Sequence, residues 1–195
     1  MSNIELFAAL LGLVSVYLMT KQHILTFPTG IAMVILYIFV FYNAKLYSDM
    51  LLQVFFALMQ LYGWYHWLHG KKQDEKDEQI AVSRLSSQQW YLYGIGIAGL
   101  TTLLGYSMYS QTDASLPYID AFTTALSVSA QIMLTGKKIE NWLLWIIADI
   151  IYVAMYAYKM LYPTALLYGI FMCLAAQGYR EWSKKQGQVT NGGLA

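Results

Sequence analysis

Long apolar stretches, each broken by only a few polar residues, run along nearly the whole of this chain. Seven of them cover residues 4–20, 28–43, 46–68, 89–109, 116–135, 139–158 and 160–181. A helix crosses a bilayer core with roughly 20 predominantly apolar residues, so the pattern predicts seven transmembrane helices. Pro28, Pro117 and Pro163 fall at or near the starts of the second, fifth and seventh, where proline's missing N–H is no loss. The one sizeable polar insertion, HGKKQDEKDEQIAVSRLSSQQ, separates the third and fourth helices. Its mixed charges read as a solvated linker over 69–88. The opening MSNIELFAALLGLVSVYLMTK has neither a basic start nor a small-residue cleavage site and reads as a retained helix.

Composition and charge sharpen this picture. The chain is 58% hydrophobic and 12% charged, about half the charged share of a typical soluble domain. A formal charge of +1, with no basic stretch interleaved with aromatics, argues against nucleic-acid binding. The single cysteine, Cys173, leaves no internal disulfide and reads as a small apolar filler. Lys21, Lys71, Lys72, Lys76, Arg84, Lys137, Lys138, Arg180, Lys184 and Lys185 fall on one side of the predicted membrane, and only Lys45 and Lys159 on the other. The positive-inside rule then puts the long linker and the C-terminal tail (183–195) in the cytoplasm and the N-terminus outside.

A repeat lies within the pattern. At a constant offset of 115 residues, Leu46 meets Leu161, Tyr47 meets Tyr162, Phe56 meets Phe171, Gly63 meets Gly178 and Trp67 meets Trp182. Upstream, Thr20 meets Thr135, Ile31 meets Ile146 and Tyr37 meets Tyr152. The unit is three helices (4–68 and 116–182), with helix four (89–109) as a connector that returns the second unit to the first one's orientation. The predicted fold is an all-α integral membrane protein, two parallel three-helix repeats joined by a linker helix. This 3+1+3 plan resembles the SWEET transporters, whose substrates sit near the membrane midplane.

Candidate chemistry gathers on helix six. Trp142, Trp145 and Asp149 stand at i, i+3 and i+7, on one face, and Tyr152 extends it. The first repeat has Phe27, Gly30 and Val34 in place of the first three, so the polar, aromatic version occurs once. An ionised carboxylate at a bilayer centre costs about 2.5–3.5 kcal/mol on insertion scales, which needs a return. Indole faces attract cations and stack on heteroaromatic rings, and a carboxylate pairs with a cation. Gln53 and Gln60 on helix three and Gln131 on helix five add amides that donate and accept. Near the boundary Trp142 also suits an interfacial belt, and each glutamine also suits a bond between helices. The G-x-G-x-x-G of Gly94, Gly96 and Gly99 lies inside helix four, where it reads as close helix packing instead of a dinucleotide site. His23, His66 and His69 cluster toward one boundary with no H-E-x-x-H motif, so no catalytic residue, metal or cofactor is expected.

The run YSDMLLQVFFALMQLYGWYHW, the W-x-x-W-x-x-x-D of Trp142, Trp145 and Asp149, and LYPTALLYGIFMCLAAQGYREW resemble the PnuC family of bacterial vitamin transporters over nearly the whole chain. The resemblance implies facilitated diffusion across the inner membrane, with a cytoplasmic vitamin kinase trapping the cargo, and a homotrimer among membrane lipids. The helix-six motif of the nicotinamide riboside carriers ends in Asn, where this chain has Asp149. On that departure the resemblance points first to thiamine, with nicotinamide riboside, or proton coupling through Asp149, as alternatives.

Overall fold

The computed structural model describes residues 3–43, 47–70, 81–111, 116–158, 160 and 162–192. Lys45, Lys71, Lys72, Lys76 and Lys159 from the charge count, and the Leu46/Leu161 pair from the repeat, lie outside these. Seven helices account for most of the rest: α1 (Asn3–Thr20), α2 (Thr26–Asn43), α3 (Tyr47–His69), α4 (Ser87–Gln111), α5 (Pro117–Thr135), α6 (Asn141–Tyr158) and α7 (Tyr162–Gly192). No strand occurs among the described residues; Ser83 and Lys138 form an isolated bridge.

Local chemistry sets several of these boundaries. α4 begins at Ser87, two residues before the hydrophobic run, because Ser86 and Gln89 form a capping box. The Ser86 N–H donates to Gln89 Oε1 (3.0 Å) and the Gln89 N–H to Ser86 Oγ (3.3 Å). α7 continues through the charged segment read as a tail, as far as Gly192. By length and composition only α6, among the described helices, is apolar enough to cross a membrane; Ile4–Thr20 and Thr26–Val40 are shorter apolar segments.

Helices α1 and α2 are joined by a Schellman turn. His23 N–H reaches Leu18 C=O, Gln22 N–H reaches Met19 C=O, and Gln22 takes φ 57°. α5 ends with the same device one repeat later: Lys138 N–H reaches Met133 C=O, and Lys137 takes φ 47°. A left-handed non-glycine residue costs about 1–2 kcal/mol, yet it stands at the same repeat position twice. The next turns match bond for bond. Thr26 to His23 and Phe27 to Ile24 recur as Asn141 to Lys138 and Trp142 to Ile139.

The chain divides into two compact units. The first holds 1–82, 135–137 and 177–195; α1 packs on α2, and α2 on α3. Ser15 Oγ donates to Thr26 C=O and Thr26 Oγ1 to Ser15 C=O, both 2.8 Å. Repeat-equivalent residues meet here: Trp67 lies 6.0 Å from Trp182, and Lys137 Nζ donates to Gln22 Oε1 at 3.3 Å. Trp182 Nε1 donates to Met19 C=O, and Lys21 pairs with Glu181 at 2.6 Å. The second unit holds 83–134 and 138–176. Its core is Leu85, Leu126, Ala130, Met133, Leu144 and Ala148.

Small residues share the interior with large aromatics such as Trp67 and Phe27, and many large apolar residues lie outside. Ala8, Ala121, Ala125, Thr26, Thr123 and Ser127 are buried, while Leu51, Leu92, Ile95, Leu103 and Leu166 are each more than 60% exposed. So many exposed large apolar residues suit helices solvated by lipid. Cys173, read as a small apolar filler in a helix, lies exposed on α7. A Cβ on Gly94, Gly96 or Gly99 would meet nothing within 4 Å, so these glycines do not serve close packing among the described residues.

Candidate functional site

Helix α6 carries the densest chemistry, and the second unit supplies its surroundings. Trp142 and Asp149 are buried, at 2% and 5% exposure, which removes the interfacial-belt reading of Trp142. Trp145 is half-buried and packs against the cluster of Leu85, Leu126, Ala130, Met133, Leu144 and Ala148. Tyr152 rests on the same cluster, and its ring lies 4.7 Å from Tyr168 and 6.1 Å from Tyr156. Thr123 and Ser127 of α5 lie close to its hydroxyl. The helix therefore holds two indoles, a carboxylate and a phenol, all buried or half-buried.

Gln131 on α5 is 7% exposed, and its Nε2 has no hydrogen-bond partner. Leaving a buried polar atom unsatisfied costs about 1–3 kcal/mol, which a polar ligand can recover. Asn141, which sequence reasoning missed, shows the same feature. Its Nδ2 donates to Lys138 C=O at 2.6 Å, but its buried Oδ1 has no partner. The repeat contained the signal. Asn141 corresponds to Thr26, which Ser15 satisfies, whereas the residue corresponding to Ser15 is Ala130, which has no polar side chain.

The two glutamines of α3 lie in the first unit. Gln53 is half-buried, and Gln60 is buried with its amide laid over Gly30, so close that a Cβ there would collide with it. At the repeat-equivalent positions the sizes are exchanged: Trp145 replaces Gly30, and Ala175 replaces Gln60. The histidines sit in tyrosine stacks, His66 on Tyr62 and His69 on Tyr65. No group of three or more His, Cys, Asp and Glu among the described residues could hold a metal ion.

The family model of the nicotinamide mononucleotide transporters matches residues 2–184. The chain is 30% identical to the nicotinamide riboside transporter PnuC of Escherichia coli K12, covering 93% of this chain and 85% of that protein. It is 27% identical to the nicotinamide riboside transporter PnuC of Neisseria mucosa, over 91% of this chain and 70% of the relative. Among solved structures, a crystal structure of the vitamin B3 transporter PnuC superposes with a TM-score of 0.76 at 26% identity. That match covers 94% of this chain and 81% of the other. These relatives are named for nicotinamide riboside or vitamin B3, so the lean toward thiamine drawn from Asp149 has no support among them.

Proposed function

This chain belongs to the nicotinamide mononucleotide transporter family, and from that premise we propose that it is a membrane carrier of nicotinamide riboside. It is a transporter, not an enzyme. The observation that carries the cargo assignment is the burial of Trp142 and Asp149 on one face of α6 in a chain whose relatives are named for that vitamin. Nicotinamide riboside presents a flat pyridinium cation, a carboxamide and ribose hydroxyls. Trp142 and Trp145 flank the ring through stacking and cation–π attraction. Asp149 pairs with the cation or accepts from a hydroxyl, which returns the cost of its burial. Gln131 and Tyr152 supply further polar contacts from the second unit. Gln53 and Gln60 stay candidates by their amide chemistry alone.

The lipid-facing exteriors and the recurrence of both Schellman turns at the 115-residue offset support an inner-membrane protein of 3+1+3 plan. Facilitated diffusion, trapping by a cytoplasmic kinase, a trimeric assembly and a cytoplasmic C-terminus complete the proposal. Quenching of tryptophan fluorescence in the purified protein tests the cargo, titrated in parallel with nicotinamide riboside, thiamine and riboflavin. Saturable quenching by nicotinamide riboside, weakened in Asp149→Ala and in Trp145→Phe, is expected. Tight binding of thiamine with none of nicotinamide riboside would overturn it.

A further inference from the structure

The segment before α4, read from sequence as solvated linker, is fastened to the start of α6. Ile139 N–H donates to Ser83 C=O at 3.0 Å, and Lys138 Nζ to Arg84 C=O at 3.3 Å. The third fastening is a buried carboxylate. Glu140, 5% exposed, accepts the Leu85 N–H on its Oε2 at 3.1 Å. That bond sets Leu85 in the core cluster against which Trp145 packs. The Glu140 carboxylate thus holds one member, Leu85, of the cluster on which Trp145, an indole of the proposed site, packs.

The repeat separates this role from mere shaping of the turn. Glu140 corresponds to Leu25, which is 51% exposed. The first-repeat turn makes the corresponding His23 to Leu18 Schellman bond and the same opening helical bonds with a leucine at that position. The turn therefore needs no carboxylate. What the second repeat adds is the attachment of residues 83–85, and it does so beside the helix that differs chemically from its counterpart.

We propose that Glu140 is a positioning residue that holds the Ser83–Leu85 strap under α6 and thereby fixes Trp145 for substrate, an inference that rests on α6 being the substrate-binding helix. The acceptor oxygen matters, not the charge, because the partner is a backbone N–H. Glu140→Gln keeps an acceptor of the same reach; Glu140→Asp shortens it by one methylene, and Glu140→Ala removes it. Two readouts on full-length purified protein test this: hydrogen exchange at the Leu85 amide and fluorescence titration with nicotinamide riboside. Faster exchange and about tenfold weaker binding are expected in Glu140→Ala and Glu140→Asp, the scale of one buried hydrogen bond. Glu140→Gln should stay within about twofold of wild type, with the maximal transport rate unchanged. If Glu140→Ala does not fold, the Asp and Gln pair decides alone. Exchange or binding unchanged in Glu140→Asp, or Gln as damaging as Asp, would overturn the inference. Failure of the wild-type protein to bind nicotinamide riboside would instead overturn the cargo, while the exchange readout still judges the strap.

Discussion

Replacing Lys137 by methionine removes a charge from a place water barely reaches, and the pH dependence of stability should register it. Lys137 lies in the turn between α5 and α6 and is 1% exposed. Burial, with repulsion from Lys185 added, pushes its ammonium down from the ordinary 10.5 to about 7. That fall of roughly 3.5 pH units corresponds to about 5 kcal/mol against the charged form. Two contacts pull the other way: Nζ sits 4.1 Å from the centre of the Trp67 ring and donates to Gln22 Oε1.

The sign follows from proton counting. Between about 7 and 10.5 the unfolded chain keeps the Lys137 proton while the folded protein has lost it, so stability rises with pH across that window. Below about 7 both states are charged, and the desolvation cost is carried in full. Lys137→Met has similar length and no titration. Its unfolding free energy in detergent, measured at pH 6 and pH 10, should lack the rise of about 4 kcal/mol expected of wild type. The variant should also be the more stable of the two at pH 6. Parallel profiles for the two proteins would refute the reasoning.

Two further substitutions probe the packing. Gly30→Ala drives a Cβ into the Gln60 amide, the far end of a flexible side chain, so it should cost about 1–2 kcal/mol. The double variant with Gln60→Ala should recover most of that loss in thermal unfolding; strictly additive losses would contradict the contact. On α4, Gly105→Ala meets the Tyr118 ring and should destabilise by about 1–3 kcal/mol. Gly96→Ala meets nothing and should be neutral, or stabilising by up to about 1 kcal/mol through helix propensity. The reverse order in melting temperature would show the α4 surroundings to be misjudged.

The helices were largely legible because each is a local event. A run of apolar residues of bilayer length, closed by a proline or a polar turn, predicts its own limits, and the seven observed helices follow the seven runs within a few residues, apart from the extended end of α7. The start of α4 was legible too, in the S-x-x-Q of Ser86 and Gln89, a signal weaker than the hydrophobic pattern that led to residue 89. The candidate site was read in part. Trp142, Trp145, Asp149 and Tyr152 follow from helical spacing, whereas Asn141 needed the comparison with Thr26 and its partner.

By itself the sequence determined the helical class, the 115-residue offset and the one face where aromatic and acidic residues coincide, since periodicity and spacing along a single helix settle these. Only the tertiary structure decided that Lys137, counted among the boundary charges, lies buried on Trp67. It decided equally that part of the polar linker is a strap on Glu140, and that Gly94, Gly96 and Gly99 of α4 face open space. These outcomes join residues tens of positions apart in sequence. They depend on the direction in which a left-handed turn sends the chain and on which side chain fills the space it leaves, neither of which is carried by a hydrophobic pattern.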